Sequence, residues 1–294
     1  MTPQQGSRIS SSSRRKPLDE EVDVYGLTHV GHVRKQNQDH FFVGSLRKHL
    51  EIHHTSLHDA EQIPVLSERL AYIAMVADGV GGGEGGEEAS RLAVEVATQY
   101  VTSSMDCYYA GDARDEEVFF AALQEAAMRC HARVQERAAQ DPDWRGMATT
   151  LTLWIGVWPW SYLLQVGDSR CYVFHQGRLA QISRDQTLAQ DLVDQGVLAR
   201  SDADNTRWAH VLSSAIGGRQ TAPVVTQIKQ VRGSVGLLCS DGLTKHVSDE
   251  RIAERLQSMT TAQQVCEALL QDALDGGGSD NITVIVGRVL QKSP

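Results

Sequence analysis

The sequence predicts an α+β fold in which sheets are covered by helices, on three observations. Runs of strand length rich in Val, Ile, Leu, Tyr and Thr come in two bursts, not in regular alternation with helices. Two long segments with helical character lie between the bursts, and shorter ones lie between and after the later runs. Turn residues bound the runs, so the strands are short and many.

Along the chain, the expected strands are Val22–His29, His40–Val43, Leu70–Ala77, Ala148–Val157, Ser161–Val166, Cys171–His175, Arg178–Ile182, Val224–Val231, Val235–Cys239 and Ile282–Leu290. Ser161-Tyr162, after Trp158-Pro159-Trp160, and Gln176-Gly177 read as hairpin turns, which would make Ala148–Ile182 an antiparallel meander. The first long helix is expected over Glu87–Ser104, after a glycine-rich loop. The second is expected over Asp115–Gln140, where Val118, Ala122, Leu123, Ala126, Ala127, Cys130 and Val134 recur at helical spacing. Asp115, Glu116 and Glu117 in its first turn suit the positive end of the helix dipole. Shorter helices are expected at Thr187–Gln195, Asp249–Ser258 and Thr261–Leu274, with Ser248 and Thr260 as N-caps.

Residues 1–20 are polar, Ser-rich and aperiodic, and read as a disordered tail or a poorly ordered terminus. Residues 21–294 read as one domain, since no linker-like stretch and no internal repeat interrupts them. A chain of 294 residues can bury a substantial core. The net charge of −9 and the lack of a Lys/Arg block in the body argue against a nucleic-acid surface. Apolar stretches fall far short of the roughly 20 residues a membrane helix needs. No apolar segment follows the basic N-terminal residues, so no signal peptide is expected. The five cysteines, Cys107, Cys130, Cys171, Cys239 and Cys266, are odd in number and lack CxxC spacing. They read as reduced thiols in a cytoplasmic protein.

The chemistry lies in a recurring pattern. Four apolar runs end on, or begin after, an aspartate beside glycine or asparagine, or in Asp-Ser: Tyr72–Asp78, Tyr162–Asp168, Val235–Asp241 and Asp280–Gly287. Any one of these could be an ordinary turn or cap. Together they point to carboxylates delivered to one edge of a sheet system. Gathered carboxylates repel unless cations separate them, so the pattern predicts hard divalent metals, and such clusters commonly carry phosphoryl chemistry. Gly79 after Asp78 would let a backbone carbonyl approach a metal with no Cβ in the way. The loop that follows lacks the Lys-Ser/Thr ending of a P-loop. Arg34, in Val33–His40, offers a planar fork matched to a phosphoryl group, although a surface turn would use the same residue types.

In chain order stand VRKQNQD, VADGVGG with EGGEEAS, MATTLT, VGDSR, SRDQTLAQDLVDQGVL, CSDGLT and SDNITVIV. This ordered set resembles the metal-dependent PP2C-type (PPM) Ser/Thr protein phosphatases of the bacterial branch, over about Val24 to Val289. The resemblance implies an α-β-β-α sandwich: two antiparallel β-sheets flanked by antiparallel helix pairs. It implies a binuclear Mn²⁺ or Mg²⁺ centre, with Asp78 bridging both metals, Gly79 giving its carbonyl to one, and Asp241 and Asp280 binding the other. It also implies that Arg34 holds the substrate phosphate, that Asp39 orders waters on the metals, and that Asp168 reaches a third, weaker metal site. Arg184–Gly218 matches the family's mobile, substrate-selecting flap. The implied reaction is hydrolysis of phosphoserine and phosphothreonine in proteins by a hydroxide shared between the metals. The implied partners are phosphorylated proteins, among them a Ser/Thr kinase and its substrates, for a monomeric protein with no membrane or nucleic-acid role. Cys239 lacks a Cys-x5-Arg arrangement, which excludes a cysteine phosphatase.

Three positions depart from the family pattern. Gln38 replaces an acidic residue before Asp39, Val80 stands where many members have histidine, and Lys245 stands where many have a third-metal carboxylate. Gln38 and Lys245 favour the alternative reading, a pseudophosphatase that binds phosphoproteins without hydrolysing them. Ser45–Arg69 reads as an exposed insertion; its His49, His53, His54 and His58 fit no strong metal-ligand spacing.

Overall fold

The runs YIAMVA, VGLLC and ITVIV are apolar on both faces because each strand is covered on both sides. The computed structural model describes residues 15–49, 67–81, 84–104, 116–203 and 205–290. One sheet holds β1 (Val22–His29), β11 (Ile282–Val289), β10 (Val235–Cys239), β7 (Arg170–His175) and β8 (Arg178–Gln181), side by side in that order. The other holds β2 (Asp39–Lys48), β3 (Glu68–Val80), β5 (Leu151–Val157), β6 (Trp160–Val166) and β9 (Val224–Lys229), with the short β4 (Ala148–Thr149) paired to the end of β3. Every pairing is antiparallel.

Alternation along each strand sorts its side chains into layers. Val76, Leu163, Cys171, Leu238 and Ile285 meet between the sheets, joined by Phe41, Val43 and Trp154. Their neighbours Ile73, Met75, Leu153 and Leu164 point the other way, onto α1 (Gly85–Ser103) and α2 (Glu116–Gln140). On the opposite flank, Leu237, Cys239, Val284 and Val286 pack beneath α6 (Asp249–Gln257) and α7 (Ala262–Asp275). Helix pairs therefore cover both outer faces, giving the expected α-β-β-α sandwich. The smaller helices α3 (Leu188–Asp194), α4 (Arg200–Ala203) and α5 (Asp241–Thr244) lie in connections.

Several details differ from the sequence reading. Ala148–Ile182 is not one meander: β5 and β6 form a hairpin in one sheet, β7 and β8 a hairpin in the other. The chain changes sheets at Gly167-Asp168-Ser169, and strand propensity alone carries no trace of which sheet the next strand joins. The first hairpin turns at Trp158-Pro159, because Ser161 and Tyr162 already belong to β6. The second turns at Gln176-Gly177, as expected. The expected strand Ala148–Val157 breaks at Thr150, and the hairpin strands β2 and β3 are longer than their apolar runs. Ser248 caps α6 by accepting from the Arg251 amide, but α7 is capped by Thr261, accepting from Gln264, and not by Thr260.

The expected tail is tied to the body from Arg15 onward. Arg15 pairs with Glu21, Lys16 donates to the Arg69 carbonyl, and Asp19 pairs with Arg47 and Arg69. Residues 1–14, the insertion histidines His53, His54 and His58, and Cys107 lie outside the described residues. Among the described residues no helix is long and apolar enough to cross a membrane. Cys130, Cys171, Cys239 and Cys266 are buried free thiols.

Candidate metal centre

The carboxylates predicted from strand ends come together at one end of the sandwich, in pairs set by the sheets. Asp39 opens β2 and stands directly opposite Asp78 of β3 in the strand register. Like charges so placed are destabilising unless something positive lies between them. In the facing sheet, Asp241 follows β10 as the first residue of α5, and Asp280 lies two residues before β11, the neighbouring strand. Asp168 sits in the crossover between the sheets and is buried. Arg34 lies in the β1–β2 connection and binds Asp280 through both prongs, Nε to Oδ1 at 2.7 Å and Nη2 to Oδ2 at 3.0 Å.

The electrostatics divide these groups into two kinds. Burial, then the charges of Asp39, Asp241, Asp168 and Asp280, hold the Asp78 carboxyl well above the usual range. Burial pushes Asp39 up to about 6 against hydrogen bonds from Thr283 and Ser240. Burial, then Asp241 and Asp185, push Asp168 up to about 8, with the Lys245 ammonium pulling the other way. Asp280 is the opposite case: burial alone would raise it, but hydrogen bonds from Arg34 and Lys245 bring it below its ordinary value. Lys245 Nζ lies 2.7 Å from Asp241 Oδ2 and 2.6 Å from Asp280 Oδ2.

The donor set fits a hard divalent cation. It is all oxygen, and Asp39 Oδ1 and Asp241 Oδ1 are buried acceptors with no hydrogen-bond partner among the described residues. The side chains stand somewhat apart: among the described residues, no three acidic, histidine or cysteine side chains converge closely enough to hold an ion as they stand. Lys245 engages an oxygen of each of Asp241 and Asp280, and Arg34 engages both oxygens of Asp280.

Residues that sequence reasoning passed over hold the carboxylates in place. Ser240 and Thr283 both donate to Asp39 Oδ2, each at 2.7 Å. Asn281 fastens the Arg34 loop to the start of β11. Its Nδ2 donates to the carbonyls of Val30 and Gln36, and its Oδ1 accepts from the Gln38 amide. Thr149 and Thr150, in the MATTLT run, donate to the Asp78 carbonyl through Oγ1 and the backbone amide respectively. Thr150 Oγ1 also bonds Ser169 Oγ at 2.8 Å, linking Asp78 to the crossover that bears Asp168. All of them lie within the motif runs of the sequence, and Ser240, Ser169 and Asn281 stand directly beside a predicted carboxylate; what the sequence did not carry is which group each one bonds.

Two glycines matter here for close approach. A Cβ at Gly79 would lie 2.2 Å from the Gly86 carbonyl oxygen, so that glycine is required by backbone packing whatever else its carbonyl does. A Cβ at Gly242 would lie 1.9 Å from the Asn281 carbonyl oxygen. Gly242→Ala is therefore expected to cost about 2–4 kcal/mol of stability, as forced overpacking against fixed backbone does. Urea unfolding checks this; an unchanged midpoint contradicts it.

The raised carboxyls also set a pH dependence. Asp39, Asp78 and Asp168 hold protons more tightly folded than unfolded, where an aspartate titrates near 3.9. Their contribution to stability is present in acid and is lost as pH rises from about 4 through about 6 and about 8. Asp280, held low, opposes this only below its ordinary pKa, while His40 and His131, both held low by burial, oppose it in part around and below their ordinary pKa, against the larger effect of the three raised carboxyls. Metal-stripped protein is expected to melt several degrees higher near pH 5.5 than near pH 8.5, roughly 2–4 °C per kcal/mol at this size. Saturating Mn²⁺ should flatten the trend, since cations favour the ionised forms. Differential scanning fluorimetry at the two pH values checks it; a melting point that rises with pH across this window contradicts it.

Comparisons with known proteins bear on the family and the fold. Residues 53–276 match the family model described as protein phosphatase 2C. The chain is 34 % identical over 220 residues to the serine/threonine protein phosphatase PstP of Mycobacterium tuberculosis, covering 75 % of this chain and 41 % of that protein. It thus spans about two fifths of the length of this relative. It is 31 % identical over 218 residues to the serine/threonine phosphatase stp of Listeria innocua, covering 73 % of this chain and 83 % of that one. The crystal structure of M. tuberculosis PstP/Ppp superposes with a TM-score of 0.73 at 28 % identity, over 92 % of this chain and 99 % of that one. The PstP catalytic domain in complex with two manganese ions superposes with a TM-score of 0.71 at 30 % identity, over 92 % and 99 %. By the extent of the matched region, and by a sandwich that gathers its aspartates at one end, the chain belongs to the protein phosphatase 2C family.

Proposed function

We propose that the protein is a metal-dependent phosphatase that hydrolyses phosphoserine and phosphothreonine in other proteins, opposing a Ser/Thr kinase in the cytoplasm. The observation that carries the proposal is the meeting of Asp39, Asp78, Asp168, Asp241 and Asp280 from both sheets beside the Arg34 guanidinium. The named relatives are Ser/Thr phosphatases, and one was solved with two manganese ions, which supports the same assignment here.

On this reading, Asp78, Asp241, Asp280 and the Gly79 carbonyl would hold two Mn²⁺ or Mg²⁺ ions, and Asp168 would serve a third. When bound, two such cations lower the pKa of a shared water towards about 7, supplying the nucleophile, and screen the phosphoryl oxygens. Arg34, with its side chain half exposed, would turn its fork from Asp280 to those oxygens, where planar bidentate donors stabilise the charge spread over the phosphoryl group in the transition state. Asp39, anchored through Oδ2 by Ser240 and Thr283, presents its free Oδ1 as an acceptor that orients water. Val80 offers no proton to the departing serine, so the side chain at that position plays no acid role. Cys239 is excluded as a nucleophile because burial pushes its thiol up to about 12.

The second reading, a phosphoprotein-binding module without turnover, draws on the grip of Lys245 and Arg34 on Asp241 and Asp280. Hydrolysis of p-nitrophenyl phosphate and of a phosphothreonine peptide at millimolar Mn²⁺ decides between them. Turnover that is lost with chelator supports the enzyme; inactivity with retained phosphopeptide binding supports the module.

A further inference from the structure

We propose that Lys245 is a resident cation of the metal centre: its ammonium spans the same two carboxylates that a divalent ion must bind, and so sets how tightly that ion is held. The inference rests on the two-metal reading above. Lys245 Nζ bridges Asp241 Oδ2 at 2.7 Å and Asp280 Oδ2 at 2.6 Å, joining residues that lie just beyond the ends of two neighbouring strands, as a bound ion would. It reaches them from the end of α5, whose first residue is Asp241 itself, so one helical turn delivers both the ligand and its competitor. Its side chain is mostly enclosed, and the two carboxylates more than offset the effect of burial and strengthen its hold on its proton. The Lys245 charge also reaches Asp168, whose carboxyl it pulls down against burial and the charge of Asp241.

This placement assigns Lys245 a role different from that of a surface ion pair. Arg34 takes Asp280 from one side and Lys245 takes it from the other, while Asp241 Oδ1 is left without a partner. A divalent ion arriving at Asp241 and Asp280 must displace the ammonium or share the two carboxylates with it. Either way it meets a like charge at short range, where screening by water is weak. The consequence is a weak site beside Asp241 and a higher Mn²⁺ concentration for full loading.

Lys245→Met keeps the length of the side chain and removes the charge; Lys245→Arg keeps the charge. Isothermal titration of metal-stripped protein with MnCl₂ and the Mn²⁺ EPR spectrum during loading read occupancy without reference to turnover. The weakest class of Mn²⁺ sites is expected to tighten by at least tenfold, about 1.4 kcal/mol, in Lys245→Met. Exchange-coupled Mn²⁺ pairs should then appear at correspondingly lower Mn²⁺ than in the wild type, and Lys245→Arg should behave like the wild type. Metal-stripped Lys245→Met should also melt several degrees lower, because Asp241 and Asp280 lose their neutralising partner. Wild-type protein that binds two Mn²⁺ ions, with unchanged affinities in Lys245→Met, overturns the inference and leaves the two-metal reading standing. Absence of Mn²⁺ uptake by all three folded proteins, judged by circular dichroism, overturns both.

Discussion

Asp241→Asn is expected to lower kcat/KM towards p-nitrophenyl phosphate by about a thousandfold or more, about 4 kcal/mol of transition-state stabilisation. The asparagine side chain has nearly the same shape, so packing at the start of α5 should survive. What changes is charge. Asp241 sits at the junction of the centre: its charge raises Asp39, Asp78 and Asp168, and its Oδ2 bonds Lys245. Removing that charge lowers the attraction of the whole cluster for a divalent ion while leaving Lys245 to Asp280 alone. Titration calorimetry should show Mn²⁺ affinity falling together with turnover. The melting point of metal-stripped protein should stay level or rise, since one buried repulsion is gone. Loss of turnover at unchanged metal affinity would place Asp241 outside the metal ligands.

Asn281→Ala is expected to be the most damaging change among residues that would touch neither metal nor substrate. Asn281 is buried and makes three hydrogen bonds of 2.9–3.0 Å to the loop between β1 and β2. Alanine would leave two carbonyls and an amide of that loop without these partners. At about 1 kcal/mol per bond the loss is about 3 kcal/mol, a fall of roughly 6–12 °C in melting temperature. The loop carries Arg34, so KM for a phosphopeptide should rise more than kcat falls. Chemical denaturation and steady-state kinetics measure the two effects. A stable variant with unaltered KM would show that Arg34 is positioned by something other than this anchor.

The fold and the carboxylates were legible in the sequence for a shared physical reason. Strands covered on both faces read as continuous apolar runs, and an aspartate breaking such a run beside glycine or asparagine is conspicuous. Val22–His29 and Val235–Cys239 were found to the residue, and the helix after the glycine-rich loop began two residues earlier than expected. What the pattern could not carry was pairing at a distance. The sheet change at Gly167–Ser169 depends on which neighbours β6 and β7 find, which leaves no periodicity in the chain. Ser240, Thr283, Thr149 and Thr150 are ordinary strand or turn residues by type, and only the fold makes them partners of Asp39 and Asp78. The same holds for Arg34 and Asp280, which are 246 positions apart and joined by two hydrogen bonds. Lys245 stood out as a departure in the third-metal position; its contacts place it on Asp241 and Asp280 instead.

Anomalous diffraction from crystals soaked in MnCl₂ shows whether aspartates at the strand ends hold a pair of divalent cations. Two strong manganese peaks are expected, with Asp78 a ligand of both and Asp241 and Asp280 ligands of one. Crystals that diffract well after soaking in millimolar Mn²⁺ but show no peak within coordination distance of Asp78 would contradict this assignment.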